Sequence, residues 1–492
     1  TSNADHLFSE ILAARYLDRN PGLLIAEAME NLPDHGNACE VYPITKNPEH
    51  QLLTDVGVIT SSCGVTWYNG GLFPDSFAQV TFIAEPVHNL VHADRVVGKG
   101  ASYTASRVYE NKEFLASTDS WFRPAQFYIG PDGALYVLDY YRQIIEHPEW
   151  MSDEVNQSGA LYNGSQQGRI YRITPNGTPP MDWCGKLKLD QMTSLQLADL
   201  LNHKNGWWRR QAQRLLVGQN DSSIASIIQS KLEQQAYSPA GIVHALWSLE
   251  GLRQLKPSLI SKALNHSTAG VRENAIRLVE IHALQEPQLI QDLLNLVDDP
   301  DAKVRFQLLC TLGSLDHPAI KNGILKILVH DIEDKWVQLA ALSSMPGKEF
   351  ELLSTLIPLL EAAATEGKKQ FFEQTAAVIS SSEPSPYLNQ LLQLATRKLT
   401  ASSAWWQSAL LNGIATGLKI NPKNYDDIRL DLPLIVSKFK KQEPGQLRAA
   451  AIQLLLSAKL TPNELAMPIH QARLYLNDSS TPVDLLTDAL SI

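Results

Sequence analysis

The hydrophobic pattern of the chain changes its period once, and this change limits the folds open to it. Up to about residue 178, apolar and polar residues alternate in short runs between turn residues, which is typical of many short β-strands. From about residue 190 onward the apolar residues recur at helical spacing. The Pro/Gly-rich stretch Pro175–Pro180 marks the boundary. The sequence therefore predicts a multidomain all-β plus all-α protein, with a β domain at 1–178, a linker at 179–190 and helices at 191–492.

Two parts of the β domain each have the pattern of a four-stranded meander. The first contains the runs Cys63–Tyr68, Gln79–Ala84, Leu90–Val97 and Tyr103–Tyr109. The second contains Ala125–Ile129, Ala134–Asp139 and, after a long excursion from Tyr140 to Gln167, Gly168–Ile173. Meanders at regular spacing predict the blades of a β-propeller.

The beginning of the chain fits only the second half of such a unit. Thr1–Asp5 matches the end of a second strand and its corner, and His6–Leu12 and Ala38–Pro43 are predicted as the third and fourth strands. The sequence thus predicts about two and a half blades of a partial propeller, whereas closure takes roughly four to eight. We therefore expect the missing propeller segment to come from outside this chain, for example from a second polypeptide.

Several helices of the second domain follow one pattern. Val271, Val304 and Val337 recur at equal intervals along the sequence, and Trp208 precedes Val271 by nearly two such intervals. This spacing predicts HEAT-like helical hairpins stacked in an α-solenoid, and the alternative is an irregular helical bundle. A solenoid would offer a concave surface to another protein or to the missing propeller segment.

Charge and composition exclude several classes of function. Lys plus Arg number 42 against 52 Asp plus Glu, a formal net charge of −10 with no long basic cluster, so nucleic acid is not an expected partner. No run reaches the roughly 20 apolar residues of a transmembrane segment. The chain has no C-x-x-C-H haem attachment site. Cys39 and Cys63 could form a disulfide in an oxidising compartment, or remain two unpaired thiols.

The β domain also resembles a known family. The matching stretches include Pro33–Gly36, Ser62–Thr66, Glu85–His92, Glu113–Pro124, Gly130–Val137, Ile145–Trp150 and Gly168–Ile173. They look like the bacterial membrane-bound dehydrogenases, in which a propeller akin to soluble glucose and sorbosone dehydrogenases precedes HEAT repeats and often a cytochrome c domain. The chain departs from that family pattern in lacking the early blades and the haem attachment site.

The resemblance implies a quinoprotein-like activity outside the cytoplasm, in the periplasm or another extracytoplasmic space. Its cofactors would be pyrroloquinoline quinone and Ca²⁺, its substrate a sugar or alcohol, and its electron acceptor a cytochrome c. In such a dehydrogenase a histidine removes the hydroxyl proton while hydride passes to the quinone.

Within a propeller, the corner loops of successive blades open on one face, which we call the mouth. By that rule Asp5–His6, Glu85–Asn89, Asp119–Arg123 and Tyr140–His147 would converge there. His88 is the predicted general base, because an imidazole has an ordinary pKa near 6.5; the alternative is that it caps a turn. Arg123 is the second predicted catalytic residue and could clamp a cofactor carboxylate or an oxyanion; alternatively it ties blades together through a carboxylate.

The remaining predicted site residues would hold the cofactors. Arg142, Asn89 and His6 join Arg123 as quinone-binding candidates, and Glu85 and Asp119 are the candidate Ca²⁺ ligands, although the chain has no D-x-D-x-D-G loop. Tyr140, Tyr141 and Arg142 could line a sugar site by stacking or merely pack their loop. His92 is predicted to point from a strand as a packed or solvent-facing residue, and Asp34 to shape a turn.

Two functions remain open on the sequence. The chain could be part of a quinone-dependent dehydrogenase that oxidises a sugar or alcohol once the missing blades are supplied. Alternatively it is a non-catalytic scaffold, in which the propeller mouth captures a glycan or protein and the solenoid docks a partner.

Overall fold

A computed structural model gives the fold of most of the chain. It describes residues 5–24, 28–34, 39–46, 57–181, 186–382, 385–398, 403–424, 432–458 and 460–492. The chain divides into two compact units, one made of residues 1–11 and 29–292 and the other of residues 12–28 and 293–492. The predicted corner at Thr1–Asp5 lies outside the described residues except for Asp5.

The strands of the described chain belong to the first unit and form three antiparallel sheets. They are β1 (Phe8–Glu10), β2 (Met29–Asn31), β3 (Cys63–Trp67), β4 (Val80–Glu85), β5 (Leu90–Lys99), β6 (Ser102–Arg107), β7 (Leu115–Ala116), β8 (Pro124–Ile129), β9 (Leu135–Asp139) and β10 (Arg169–Ile173). The middle sheet has the order β3-β4-β5-β6, and β7 pairs with β5. The predicted four-stranded meander at residues 63–109 is therefore confirmed.

The two other predicted units differ from the structure. The unit at residues 125–173 has three strands in the order β10-β9-β8 among the described residues, so the expected fourth strand was wrong for this part of the chain. In the unit at the beginning of the chain, β1 pairs with β2, and the predicted pairing with the strand at 38–43 was wrong for its described residues, 39–43. Glu40 instead makes an isolated bridge to Val58, which the local alternation of apolar residues could not indicate.

The central strands β4 and β5 are buried on both faces because apolar layers cover each side. One layer contains Tyr68, Phe82, Ala84, Val91, Ala93, Phe127 and Val137. The opposite layer contains Cys39, Val41, Ile59, Ile83 and Leu90. Since side chains alternate along a strand, His92 and Asp94 lie on the same face as Leu90. These polar residues are thus buried beside the second layer.

The described chain also contains α-helices in both units. In the first unit they are α2 (Asp153–Ser158), α3 (Ser194–Leu200), α4 (Gly206–Gln219), α5 (Ala225–Glu233), α6 (Pro239–Gly251), α7 (Pro257–Leu264) and α8 (Ala269–His282). Helix α9 (Gln288–Leu294) follows. In the second unit they are α1 (Ala14–Leu17), α10 (Ala302–Leu312), α11 (Ile320–His330), α12 (Lys335–Ser344), α13 (Glu349–Leu360), α14 (Glu366–Ser381), α15 (Leu388–Thr396), α16 (Ala404–Ile420), α17 (Leu432–Val436), α18 (Gly445–Ser457), α19 (Ala466–Asn477) and α20 (Val483–Leu490).

Alternate helices of the second domain pack against each other within each unit. In the first unit α4 packs on α6 and α6 on α8, and in the second α10, α12, α14, α16 and α18 pack in succession. Asn or Asp side chains begin several of these helices: Asn205, Asp301 and Asp334 each accept a hydrogen bond from a backbone N–H of the first turn. The predicted all-β plus all-α organisation is therefore confirmed.

Cys39 and Cys63 are unpaired thiols in the structure, so the disulfide is not formed. Among the described residues, no helix has both the length and the apolar character needed to span a bilayer.

Candidate functional site

Two groups of buried polar side chains lie in the β-rich region. The first surrounds the turn between β4 and β5 and is called the corner cluster; it comprises Glu85, His88, Asn89, Arg123 and Asp139. The second is called the histidine–carboxylate cluster; it comprises His6, Asp34, Cys39, His92, Asp94, Arg107 and Glu113. Nearly all of these side chains are buried, and the corner cluster contains most of the residues predicted from the sequence.

In the corner cluster, His88 and Glu85 contact each other, and an acceptor atom of each side chain is engaged by a backbone N–H group. Glu85, the last residue of β4, accepts hydrogen bonds at Oε2 from the backbone N–H groups of Thr60 (3.2 Å) and Ser61 (3.0 Å). Its Oε1 lies 3.3 Å from Nδ1 of His88. The Gly57 backbone N–H donates to Nε2 of His88 (3.2 Å), so Nε2 is the acceptor and the proton resides on Nδ1. The lone pair that a general base would use is therefore occupied.

Asn89 joins this corner to the segment before β8. Its φ of 58° places the backbone in the left-handed region that asparagine tolerates better than most residues. The side-chain amide donates to the carbonyls of Ser120 (3.0 Å) and Phe122 (2.6 Å), and its oxygen accepts from the Thr45 hydroxyl (2.7 Å). Asn89 thus acts as a structural connector within the described residues.

Arg123 connects the same corner to the segment that follows β9. Its side chain is only 2% exposed, and its guanidinium donates to the carbonyls of Pro86 (2.8 Å), Arg142 (3.0 Å) and Gln143 (2.6 Å). Its backbone N–H donates to the Asp139 carboxylate (2.8 Å). Burial lowers the pKa of Arg123 to about 10, which still leaves it charged at neutral pH. The predicted convergence of three corner segments is therefore visible around one arginine.

The other residues predicted near this corner lie closer to solvent. Arg142 donates to the carbonyls of Tyr141 (2.9 Å) and Gly164 (2.8 Å), and its guanidinium lies 4.3 Å from the centre of the Tyr140 ring. Asp119 is exposed and accepts a hydrogen bond from the Trp121 backbone N–H (3.0 Å). Both side chains stabilise their own loops.

The corner cluster does not fit the cofactors that the resemblance implies. A quinone clamp needs arginine and amide donors directed at the cofactor, whereas Arg123 and Asn89 direct theirs to backbone carbonyls. Glu85 receives backbone N–H groups where a Ca²⁺ ligand would face the ion. Among the described residues, the one grouping of potential metal ligands includes neither Glu85 nor Asp119.

His6, a predicted cofactor residue, lies instead in the histidine–carboxylate cluster. Its Nε2 is 2.5 Å from Oδ2 of Asp94, and its ring packs edge-on against that of His92 with centroids 5.3 Å apart. His92 and Asp94 project from β5 on one face, at positions i and i+2. Asp94 therefore contacts both imidazoles, since its Oδ1 lies 3.2 Å from Nε2 of His92.

His92 is surrounded by carboxylates. Its Nδ1 lies 2.7 Å from Oε2 of Glu113, and its Nε2 lies 3.3 Å from Oδ2 of Asp34. Burial disfavours the charged imidazole, but hydrogen bonds to Asp34, Asp94 and Glu113 outweigh it and raise the pKa of His92 well above its usual value. The prediction of an ordinary packed or solvent-facing His92 was therefore incomplete.

The pKa values of the aspartates in this cluster shift in the opposite direction, downward. Burial favours the protonated form of Asp94, but the hydrogen bonds from His6 and His92 prevail and hold its pKa well below the usual range. The pKa of Asp34 is also lowered, because its contact with His92 outweighs burial. Burial, reinforced by the charge of Asp34, raises the pKa of the Cys39 thiol.

Arg107 supplies the permanent positive charge. It stands opposite Asp94 in the β5–β6 register, and its Nε lies 3.1 Å from Oδ2 of Asp34 and its Nη2 3.5 Å from Oε1 of Glu113. The same Oε1 accepts the backbone N–H of Tyr42 (3.0 Å), whose ring lies 5.0 Å from the guanidinium. The cluster thus ties β5 and β6 to three separate loop segments.

The sequence interpretation missed the remaining members of this cluster: Asp34, Cys39, Asp94, Arg107 and Glu113. One signal was available, because His92 and Asp94 alternate with apolar residues on a strand whose neighbours are buried. The contributions of Asp34 and Cys39 depend on loop contacts that no local pattern specifies.

Comparison with known proteins adds one match. A family model described as "Domain of unknown function (DUF7133)" matches residues 1–177, which contain both clusters. No curated protein and no solved structure matches the chain.

Proposed function

We propose that residues 1–178 are part of a β-propeller and that residues 191–492 form a HEAT-like solenoid. Successive antiparallel sheets whose corner segments meet at Arg123 support the first part. A repeated contact supports the second: Arg209, Arg272, Arg305 and Gln338 each donate to the carbonyl six residues earlier in the chain. The last three of these positions keep the same interval as Val271, Val304 and Val337.

The function that we propose for this chain is ligand binding by a non-catalytic propeller–HEAT scaffold, with a glycan as the ligand at the mouth. The observation that carries this proposal is the engagement of the His88 lone pair by the Gly57 N–H. A base whose acceptor nitrogen already receives a backbone proton cannot take a hydroxyl proton without breaking that bond. The corner is therefore better suited to holding loops in place than to proton transfer.

Exposed aromatic side chains on the segment that follows β9 support a glycan ligand. Tyr140, Trp150 and Tyr162 are 52%, 69% and 71% exposed, and all lie on the excursion between β9 and β10. Flat aromatic faces present apolar surface to a ligand at a low cost in conformational entropy, which suits the apolar faces of sugar rings. Arg142 beside Tyr140 adds a hydrogen-bond donor on the same segment.

A second candidate is a part of a quinone-dependent dehydrogenase of the type that the sequence resembles, acting outside the cytoplasm with a cytochrome c as acceptor. The convergence of the 85–89, 119–123 and 140–147 segments favours it, because a dehydrogenase mouth would be built from such loops. On this proposal a further propeller segment would supply the residues that contact the quinone.

Binding measurements on the full chain distinguish the two proposals. We expect a panel of neutral oligosaccharides, titrated by calorimetry, to contain a ligand whose affinity falls at least about tenfold in a Trp150→Ala, Tyr162→Ala double variant. Tyr128→Ala is the matched control, because Tyr128 is 64% exposed on β8. Loss of binding in the control as well, or no binding by any member of the panel, would contradict the glycan proposal.

A parallel dye-reduction assay with pyrroloquinoline quinone, Ca²⁺ and the same sugars tests the second candidate. Turnover that disappears in His88→Gln, while the variant keeps its folded near-ultraviolet spectrum, would establish His88 as a base and overturn the scaffold proposal. Absence of turnover with the missing blades restored would refute the dehydrogenase proposal.

A further inference from the structure

We propose that His6, Asp34, Cys39 and His92 form a binding site for a transition-metal dication of the zinc type. Each residue offers one ligand atom, and these four atoms all lie within 4.8 Å of one another. His6, Cys39 and His92 are buried, and so is the side chain of Asp34. The proposal is independent of the glycan function, because none of its ligands lies on the exposed excursion.

The ligand set matches the chemistry of zinc. Zn²⁺ is typically held by four ligands drawn from imidazole nitrogen, thiolate sulfur and carboxylate oxygen, at about 2.0–2.3 Å from the ion. Tetrahedral ligands at that distance stand about 3.5 Å apart, so a metal would draw the four side chains together by about 1 Å. Oxygen-preferring Ca²⁺ and Mg²⁺ would gain little from a thiol and two imidazoles.

The position of the ion follows from the contacts of His92. Its Nδ1 is held at 2.7 Å by Glu113, whereas its Nε2 faces Oδ2 of Asp34 at 3.3 Å. A metal between Nε2 and Asp34 would replace a proton and leave the Glu113 hydrogen bond intact. A carboxylate bonded to the outer nitrogen of a ligating imidazole is the usual supporting contact in metal sites.

Asp94 supports the site without belonging to the ligand set. Its carboxylate bridges the two imidazoles, at 2.5 Å from His6 and 3.2 Å from His92. On metal binding, Oδ2 of Asp94 would keep its contact with His6 and hold that ring in place, whereas the contact of Oδ1 with His92 would be given up, because it is made to the Nε2 that would bind the metal.

The charge of the cluster also favours a dication. Three buried carboxylates, those of Asp34, Asp94 and Glu113, face the single guanidinium of Arg107, which leaves two negative charges before any proton on an imidazole is counted. Buried charge of one sign is costly unless it is compensated. A bound dication, together with the thiolate formed when Cys39 releases its proton to solvent, changes this net charge from minus two to minus one.

The competing possibility is a cluster held together only by protons and hydrogen bonds. The two possibilities differ in the role of Cys39. Among the described residues, its Sγ makes one long contact, of 3.8 Å, to the Glu40 carbonyl. A proton-only cluster has no use for the sulfur, whereas a metal site depends on it.

Co²⁺ substitution provides the test. The full chain would be stripped with a chelator and titrated with Co²⁺, which gives intense visible bands in tetrahedral sites and a near-ultraviolet charge-transfer band when thiolate is a ligand. We expect one equivalent to bind with both signals and to be displaced by Zn²⁺. Cys39→Ser should abolish the charge-transfer band and His92→Gln should weaken Co²⁺ binding at least about 100-fold. Cys63→Ser is the control, because Cys63 lies outside the cluster, and it should bind Co²⁺ as the native chain does.

Thermal unfolding with and without Zn²⁺ provides a second measurement if a variant is too unstable for the Co²⁺ titration. Zn²⁺ should raise the unfolding temperature of the native chain and of Cys63→Ser, and leave that of Cys39→Ser unchanged. Failure of the native chain to bind Co²⁺ or Zn²⁺, or a charge-transfer band that survives in Cys39→Ser, would overturn the proposal. Neither result depends on whether the mouth binds a glycan.

Discussion

Asn20 donates a hydrogen bond of 2.8 Å from its side-chain amide to the carboxylate of Glu349, although 329 positions separate the two residues. The same amide donates to the carbonyl of Leu342 (3.0 Å), and its oxygen accepts the backbone N–H of Gly22 (3.1 Å). Gln307 reaches the hydroxyl of Tyr16 (3.0 Å) from α10. The segment from residue 12 to residue 24 is therefore an integral part of the second unit.

Replacing Asn20 should destabilise that unit. Asn20→Ala removes two long-range hydrogen bonds and leaves the buried Glu349 carboxylate without one of its donors. We expect a loss of about 1–3 kcal/mol in the free energy of unfolding, measured by urea denaturation. Gln393→Ala is the control, because Gln393 is exposed on a helix of the same unit. Equal stability of Asn20→Ala and the native chain would show that solvent replaces both bonds at no cost.

The strands were predictable because hairpins are local. Residues 79–84 and 90–97 were predicted as paired strands, and β4 and β5 occupy 80–85 and 90–99. The alternating apolar residues of both strands and the turn that joins the strands lie within one short segment of the chain, so the local sequence is sufficient to predict the pairing. The helices at Val271, Val304 and Val337 were predictable for the same reason, since apolar residues recur at helical spacing in each and each follows a polar turn.

The long-range contacts were not predictable from local pattern. Leu12 was expected to end a strand, but the segment that follows it packs beside Ser343 and Cys310, whose hydrogen bonds to Tyr16 and Arg19 no period of the sequence encodes. His88 was correctly placed at a corner, yet its role depends on Gly57, which is distant in sequence. Residue type and spacing indicate where a polar side chain is, and the folded backbone decides what it contacts.

A close approach between two sheets gives a second prediction. Gly64, with φ of +59°, has no room for a Cβ, which would lie 2.8 Å from the Ala125 carbonyl oxygen and from Cα of Gln126. Gly177 has φ of +80° and nothing within 4 Å, so Gly177→Ala measures backbone strain alone. We expect Gly64→Ala to cost about 1–3 kcal/mol more than Gly177→Ala in urea denaturation. Equal costs would show that β3 moves away from β8 without penalty.

The cysteines give a third prediction. Burial raises the pKa of Cys63 to about 11, and the negative charge of Glu85 adds to the effect; burial also raises the pKa of Cys39. At pH 8 only about one Cys63 in a thousand would be thiolate. Iodoacetamide with a chelator present should therefore label both thiols slowly in the native chain and fully in urea without reductant, as measured by peptide mass spectrometry. A peptide pair joined through Cys39 and Cys63 would contradict the unpaired thiols.

His244 gives the last prediction, which concerns stability in acid. Burial, together with the charges of Arg209 and Arg210, lowers the pKa of His244 to about 4, and its Nδ1 bonds Oε1 of Gln213 (2.7 Å). In the unfolded chain the imidazole returns to its ordinary value near 6.5, so the unfolded state binds more protons between these limits. The free energy of unfolding should therefore be highest above about pH 6.5 and fall as the pH drops toward about 4. His244→Gln should flatten this dependence in urea denaturation across that range, whereas Gln213→Leu should lower stability by a similar amount at each pH. An unchanged slope in His244→Gln would show that His244 does not determine the acid sensitivity.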